Sequence, residues 1–254
     1  MLLAVDIGNT DVVIAALENG RPVGAVRRTP SSCGRPVSAF AAELADFLAC
    51  AKLSRCAFDR AVICSVVPPL THTLRDAIRD TLGLDALIVS AALDSGLDLA
   101  IEQPDSLGAD ILAADAAAAE HYPLPVIVFD YGSATTVTVV DTERRYRGGV
   151  ILAGVKLGLS ALASGTALLP DVHLTAPERV LATETADALV GGAIYGAAAM
   201  TDGLIDRIEA ELGRPCTAVA TGGLATVITP NCRRDVKLDE HLIFRGMELL
   251  AERN

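Results

Sequence analysis

Leu2-Leu3-Ala4-Val5-Asp6-Ile7-Gly8-Asn9-Thr10 opens the chain and leads into Val12-Val13-Ile14-Ala15-Ala16. Val126-Ile127-Val128-Phe129-Asp130-Tyr131-Gly132-Ser133-Ala134-Thr135-Thr136 leads in the same way into Val137-Thr138-Val139-Val140. Each stretch is an apolar run, then Asp-x-Gly with small polar residues, then a second run of β-formers. That is the pattern of a strand, a turn and a returning strand. Asp6 and Asp130 lie 124 residues apart, as do Gly8 and Gly132, close to half of the 254-residue chain. The offset predicts two copies of one domain plan.

The segments after the two hairpins also match. Glu18-Asn19-Gly20 is a turn signal before a third strand expected from Val23 to Arg28. Asp141-Thr142-Glu143 precedes a strand expected from Arg145 to Ile151. A helix is then expected from Val37 to Lys52 in the first half and from near Val155 in the second. Further strands are expected at Arg60 to Val67, Ala86 to Ser90 and Cys216 to Ala220. Further helices are expected at Pro69 to Leu82, Ala109 to His121, Thr185 to Leu212 and Glu240 to Glu252. The order describes an α/β protein with two mixed β-sheets flanked by helices. The boundary is expected near Pro123-Leu124-Pro125, giving domains 1–120 and 121–254, with ligand expected in the cleft between them.

The bulk composition narrows the partners. Hydrophobic residues make up 51% of the chain and aromatics only 4%, so the core is built mainly of Ala, Leu and Val. A net charge of -11 repels phosphate backbones and anionic lipid, which argues against nucleic acid and membrane as partners. It leaves room for a local anion site of backbone N–H groups. The six cysteines form no Cys-x-x-Cys pair and read as reduced thiols, several of them buried. No basic, apolar leader opens the sequence, and the uncharged stretch from Ala188 to Met200 is too short to span a bilayer. A cytoplasmic location is the expectation.

Asp-x-Gly at the mouth of a hairpin suits phosphate. The carboxylate of Asp6 or Asp130 can hold a cation directly or through water. Gly8 and Gly132 let the backbone approach a phosphate without a Cβ in the way. Asn9 and Thr10 in the first copy, and Ser133, Ala134, Thr135 and Thr136 in the second, supply backbone and side-chain donors. A single such hairpin is ordinary; two at equivalent positions point to a polyphosphate gripped from both sides. Thr221-Gly222-Gly223, after an apolar run, is a third element whose bare backbone suits a base and ribose.

These residues together resemble the type III pantothenate kinases of bacteria over nearly the whole chain. Asp6-Ile7-Gly8-Asn9-Thr10 resembles that family's first phosphate motif, and Ser65-Val66-Val67-Pro68 its Ser-Val-Val-Pro segment. Gly108-Ala109-Asp110 is similar to the start of its Gly-Ala-Asp-Arg motif, and Asp130 to Thr136 to its Asp-Phe-Gly-Thr-Ala-Thr-Thr. Gly148-Gly149 with Gly154, and Thr166 to Pro170, resemble the next block; Thr221-Gly222-Gly223 resembles the adenosine motif. The resemblance implies the actin-like ATPase fold, two similar RNase H-like domains. It implies ATP as donor and pantothenate as acceptor in the first step of coenzyme A biosynthesis. It also implies Mg²⁺ near Asp6, a monovalent cation (K⁺ or NH₄⁺) near Asp130, and a homodimer. It makes Asp110 the general base, places Gly108, Ala109 and Ile111 at the acceptor, and has a partner-subunit threonine reach the acceptor, matched by Thr185. Read from the residues alone, Asp110 is better taken as the cap of the helix that comes after it.

Three positions depart from the family pattern. Ile111 stands in place of Arg, which removes a charged donor from the acceptor side; such a bond is worth roughly 1.5–3 kcal/mol, about 10- to 150-fold in binding. Ala153 stands in place of Pro, and Ser133 in place of Thr with its hydroxyl kept. The ATP side is thus better preserved than the acceptor side. The alternatives are a kinase retuned to another small alcohol, a weakly catalytic nucleotide-binding regulatory relative, and a phosphate hydrolase of the same fold. His72, His121, His173 and His241 are expected in surface or capping roles, and Arg27-Arg28, Arg144-Arg145 and Arg233-Arg234 at solvated edges. Asp202 and Asp206 are expected on a solvated or dimer-facing stripe. Small residues from Gly191 to Ala199 are expected to favour a subunit interface.

Overall fold

A computed structural model describes residues 1–165 and 174–254. The Thr166 to Pro170 run and His173 lie outside the described residues. Backbone contacts divide the chain into one unit of Met1–Glu120 with His241–Asn254, and a second of His121–Glu240.

In the first unit, β1 (Leu2–Ile7) and β2 (Asp11–Glu18) form the expected hairpin, pairing Asp6 with Val13 and Ile7 with Val12. The expected third strand is broken into β3 (Arg21–Pro22) and β4 (Arg27–Pro30), both paired with β2, because Gly24 between them turns at φ 76°. Helix α1 (Val37–Ala51) ends on Lys52 in the left-handed conformation. Next along the chain come β5 (Arg60–Ser65), α2 (Pro68–Leu82), β6 (Leu87–Ile88), β7 (Asp98–Leu99) and α3 (Ala109–His121). The sheet order is β3-β2-β1-β5-β6, with β5 parallel to β1.

The near-continuous apolar run of β1 reflects burial on both faces. Leu3, Val5 and Ile7 pack with Phe40, Leu44, Leu70 and Leu74 of α1 and α2. Leu2 and Ala4 pack on the other face with Leu112, Met247 and Leu250. The last two belong to α7 (Leu242–Arg253), expected in the second domain. It returns to the first unit because Gly246 lies directly on the backbone of Ala113, where any Cβ would collide with the Ala113 carbonyl.

The second unit repeats the plan. β8 (Val126–Tyr131) and β9 (Ala134–Val140) form a hairpin, β10 (Arg145–Ala153) pairs with β9, and α4 (Val155–Gly165) and α5 (Thr185–Leu212) come next. β11 (Thr217–Thr221), the short α6 (Ala225–Ile228) and β12 (Val236–Leu238) complete the order β12-β11-β8-β9-β10, with β11 parallel to β8. Ile127, Phe129 and Tyr131 form its core with Ala197, Ala198 and Ile205 of α5. As a single helix α5 is long and apolar enough, by length and composition, to cross a membrane, unlike the shorter stretch weighed in the sequence. Here Val190, Ile194, Ala197, Ala198, Thr201 and Ile205 are buried in the protein.

Several surface expectations change. Arg233 and Arg234 are tied down: both backbone N–H groups donate to Asp202, and the Arg234 guanidinium pairs with Asp206 and Glu209. Asp202 and Asp206 therefore anchor this loop on α5, with Asp206 itself still solvated as expected. Arg27 pairs with buried Glu43, and Arg28 with Asp11. Of the six cysteines only Cys64 is buried; Cys33, Cys50 and Cys56 are exposed.

Candidate active site

Each hairpin sits at the carboxyl end of a strand, β1 or β8, that has a parallel neighbour; ligands bind at such ends in open α/β sheets. In the first, Gly8 N–H donates to the Asp11 carbonyl (2.9 Å), which closes the turn and leaves Asn9 and Thr10 exposed. In the second, Gly132 N–H donates to the Ala134 carbonyl (3.0 Å), with Gly132 and Ser133 exposed. Ile7 pairs with Val12 but Tyr131 pairs with Thr135, so the second turn is one residue shorter. The 124-residue equivalence thus holds on the outgoing strands and slips by one on the returning strands.

Next to each hairpin stands the end of the adjacent parallel strand. Asp6 is in register with Cys64, and Asp130 with Thr221. Thr221-Gly222 is therefore the counterpart of Cys64-Ser65. The two segments do different work. Ser65 Oγ accepts from Val67 N–H (3.1 Å) and bonds Thr71 Oγ1 (2.7 Å), so it organises the start of α2. Gly222 has φ 89°, and a Cβ there would strike the Asp130 carboxylate and stand 2.6 Å from the Tyr131 nitrogen. The Thr-Gly-Gly segment thus lies bare against the second hairpin; Thr221 is buried and Gly223 exposed. The Gly154 Cα lies against the carbonyls of Gly132 and Ser133, where β10 turns into α4.

Asp110 stands in the first turn of α3. The Gly108 carbonyl accepts from Leu112 N–H (3.0 Å), so Gly108 and not Asp110 is the residue from which the helix starts. Asp110 Oδ1 accepts from Ile111 N–H (2.8 Å) and lies where a Gly108 Cβ would come within 2.5 Å. Burial holds the Asp110 carboxyl above the usual range, against the pull of the Ile111 and Asp110 N–H groups. Ile111 is half-buried beside it, and its Cδ1 would be 3.7 Å from the same Cβ; Ala109 is buried.

Thr185 is exposed at the start of α5. Along the same helix Ala188, Leu189, Gly192 and Gly196 line an open apolar groove of about 580 Å³. The opposite wall is Leu152, Gly154 and Leu159, and buried Thr135 of the second hairpin reaches it.

The family model for type III pantothenate kinase matches residues 2–207. The chain belongs to that family. The type III pantothenate kinase of Rubrobacter xylanophilus is 40% identical over 260 aligned positions, covering all of this chain and 98% of the relative. That of Bifidobacterium longum subsp. infantis is 35% identical over 254, covering 100% and 99%. The activator of the 2-hydroxyisocaproyl-CoA dehydratase from Clostridium difficile, solved with bound ADPNP, superposes with a TM-score of 0.51. It is 11% identical over 99% of this chain and 94% of that one. Its likeness is one of fold, the actin-like ATPase fold with two mixed sheets flanked by helices. A type III pantothenate kinase is an ATP-dependent small-molecule kinase, and this chain is one by descent.

The folded chain also brings in two residues that carried no weight in the sequence. Tyr131 stands where the pattern has Phe, and its hydroxyl is buried against Thr201 of α5 (2.5 Å). Burial pushes that phenol far above the usual tyrosine range. Ser31, at the end of β4, touches the first hairpin and carried no signal beyond being a serine in a turn.

Proposed function

We propose that this protein transfers the γ-phosphate of ATP to the primary hydroxyl of pantothenate, the first step toward coenzyme A. The full-length kinship with type III pantothenate kinases carries the reading. Asp110 supports it as the base: a poorly solvated carboxylate takes a hydroxyl proton more readily than an exposed one, and such a base contributes about 10²–10⁴-fold. Gly108, Ala109 and Ile111 shape the acceptor side around it.

ATP fits the residues present. Gly8 and Gly132 let phosphate approach the backbone, while Asn9 and Thr10, with Ser133, Ala134 and Thr135, are the residues offered to it as donors. The bare Thr221-Gly222-Gly223 segment takes the adenosine. Among the described residues no three acidic, His or Cys side chains cluster as a metal cage. That suits Mg²⁺, which is usually held by one or two carboxylates plus substrate phosphates. Asp6 would hold it, and Asp130 a monovalent cation such as K⁺ or NH₄⁺. When bound, these cations neutralise charge on the transferring phosphate.

The homodimer belongs to the same proposal. Leu162 of the groove is exposed, as are Val150 and Ile151 of β10 and Leu157 of α4, with Val180 and Leu181 near Thr185 in sequence. The family resemblance has the partner's Thr185 reach the acceptor in such a dimer. Exposed free thiols at Cys33, Cys50 and Cys56 suit the reducing cytoplasm.

The test offers ATP, Mg²⁺ and K⁺ with pantothenate and a panel of small alcohols, and tracks ADP release and product mass. Phosphopantothenate is expected; ADP release with no phosphorylated pantothenate overturns the acceptor. One observation favours a second reading, a less anionic alcohol: Ile111 offers no charge to a carboxylate. Turnover of such an alcohol in preference to pantothenate would select it.

A further inference from the structure

The first hairpin is held from one side by a residue with no assigned role. Ser31 comes directly after β4, whose Pro30 pairs with Asp11 of β2. Its N–H donates to the Thr10 carbonyl (2.8 Å) and its Oγ donates to the Gly8 carbonyl (2.6 Å), both ordinary hydrogen-bond lengths. Arg28, three residues earlier, pairs with the Asp11 carboxylate (3.1 Å). The β4 end thus grips both ends of the exposed Asn9-Thr10 turn.

Amide geometry passes this grip on to the next residue. The Gly8–Asn9 peptide is planar and trans, so its C=O and N–H point opposite ways. Drawing the Gly8 carbonyl toward Ser31 turns the Asn9 N–H away from it, as a donor on the exposed side. Glycine at position 8 imposes little preference of its own on that plane. If the plane turned over, a carbonyl oxygen would face an incoming phosphate and repel it.

We propose that the Ser31 hydroxyl is a positioning residue for ATP, fixing the Gly8–Asn9 peptide so that the Asn9 N–H faces the phosphates. This rests on the reading of the first hairpin as a phosphate holder and names the residue that sets its donor. Ser31 touches no nucleotide itself; it acts through Gly8.

The test compares wild type with Ser31→Ala, Ser31→Thr and Ser31→Cys. Binding of the non-hydrolysable analogue AMPPNP with Mg²⁺ and of adenosine is measured by calorimetry and competition, beside thermal melts. Ser31→Ala is expected to weaken AMPPNP about 10-fold, the scale of one hydrogen bond, and to leave adenosine unchanged. Ser31→Thr restores AMPPNP binding, and Ser31→Cys, a weak donor of similar size, falls between. Equal losses for both ligands, or none for either, overturn the proposal. If Ser31→Ala does not fold, the Thr and Cys variants decide: wild-type AMPPNP affinity in Ser31→Cys overturns it. A wild type that binds AMPPNP no more tightly than adenosine removes the phosphate reading of the hairpin, and the proposal with it.

Discussion

At the scale of the residue, Asp110, the base proposed above, sits where burial and the helix end act on it in opposite directions. Its place in the first turn of α3 favours the carboxylate through the helix dipole, yet burial outweighs that and raises its affinity for protons. Asp110→Asn is expected to lower kcat by about 10²–10⁴-fold while leaving ATP affinity intact, measured by steady-state kinetics and calorimetry. The same variant is expected to melt no lower than wild type at neutral pH. The folded state holds the Asp110 proton more tightly than the unfolded chain, so its stabilising effect is full below the unfolded pKa. That effect is lost as pH rises through the raised folded value, so the melting gap in favour of Asn widens with pH and closes in acid. Activity of the wild type falls on the acid side as the same carboxyl protonates. Ile111 is the neighbouring departure. Ile111→Arg is expected to tighten pantothenate binding by about 10- to 150-fold, read as KM and by direct titration; unchanged affinity would sink the acceptor role given to this position.

At the scale of the element, strand ends and hairpins set the site, and their exactness resides in a few contacts. Gly222 has a positive φ and its Cα lies against Asp130 and Tyr131. Gly222→Ala is expected to cost about 1–3 kcal/mol of stability through strain and overpacking, with loss of nucleotide binding, seen in urea unfolding and titration. Tyr131 links β8 to α5 through Thr201, which also donates to the Ala197 carbonyl. Because Thr201 keeps that second partner, Tyr131→Phe is expected to cost only about 0.5–1.5 kcal/mol and to leave activity close to wild type. A larger loss would mean that the hydroxyl does more than hold strand and helix together.

At the scale of the whole molecule, one plan is used twice and one face is left apolar. Ile151 is 75% exposed on β10, next in sequence to Leu152 of the groove wall. On the homodimer proposed above, Ile151→Glu is expected to shift the protein from dimer to monomer in sedimentation and to depress activity. Mixing Asp110→Asn with Thr185→Ala chains is expected to recover part of the activity that each lacks alone, since a mixed dimer holds one intact site. The hairpin repeat, the order of elements and the limits of α3 and α5 were legible in the chain alone, because strand alternation, Asp-x-Gly turns and helical periodicity are local signals. Residue type and order were enough to propose Asp6, Asp110, Asp130 and Thr221-Gly222-Gly223 as site residues. Four features needed the folded chain: α7 belongs to the first unit, Gly108 rather than Asp110 starts α3, the second turn is one residue shorter, and Ser31 braces the first. Each of these depends on which backbones approach within a few ångströms, as Gly246 does with Ala113. Contacts between residues distant in the chain leave no periodic trace along it.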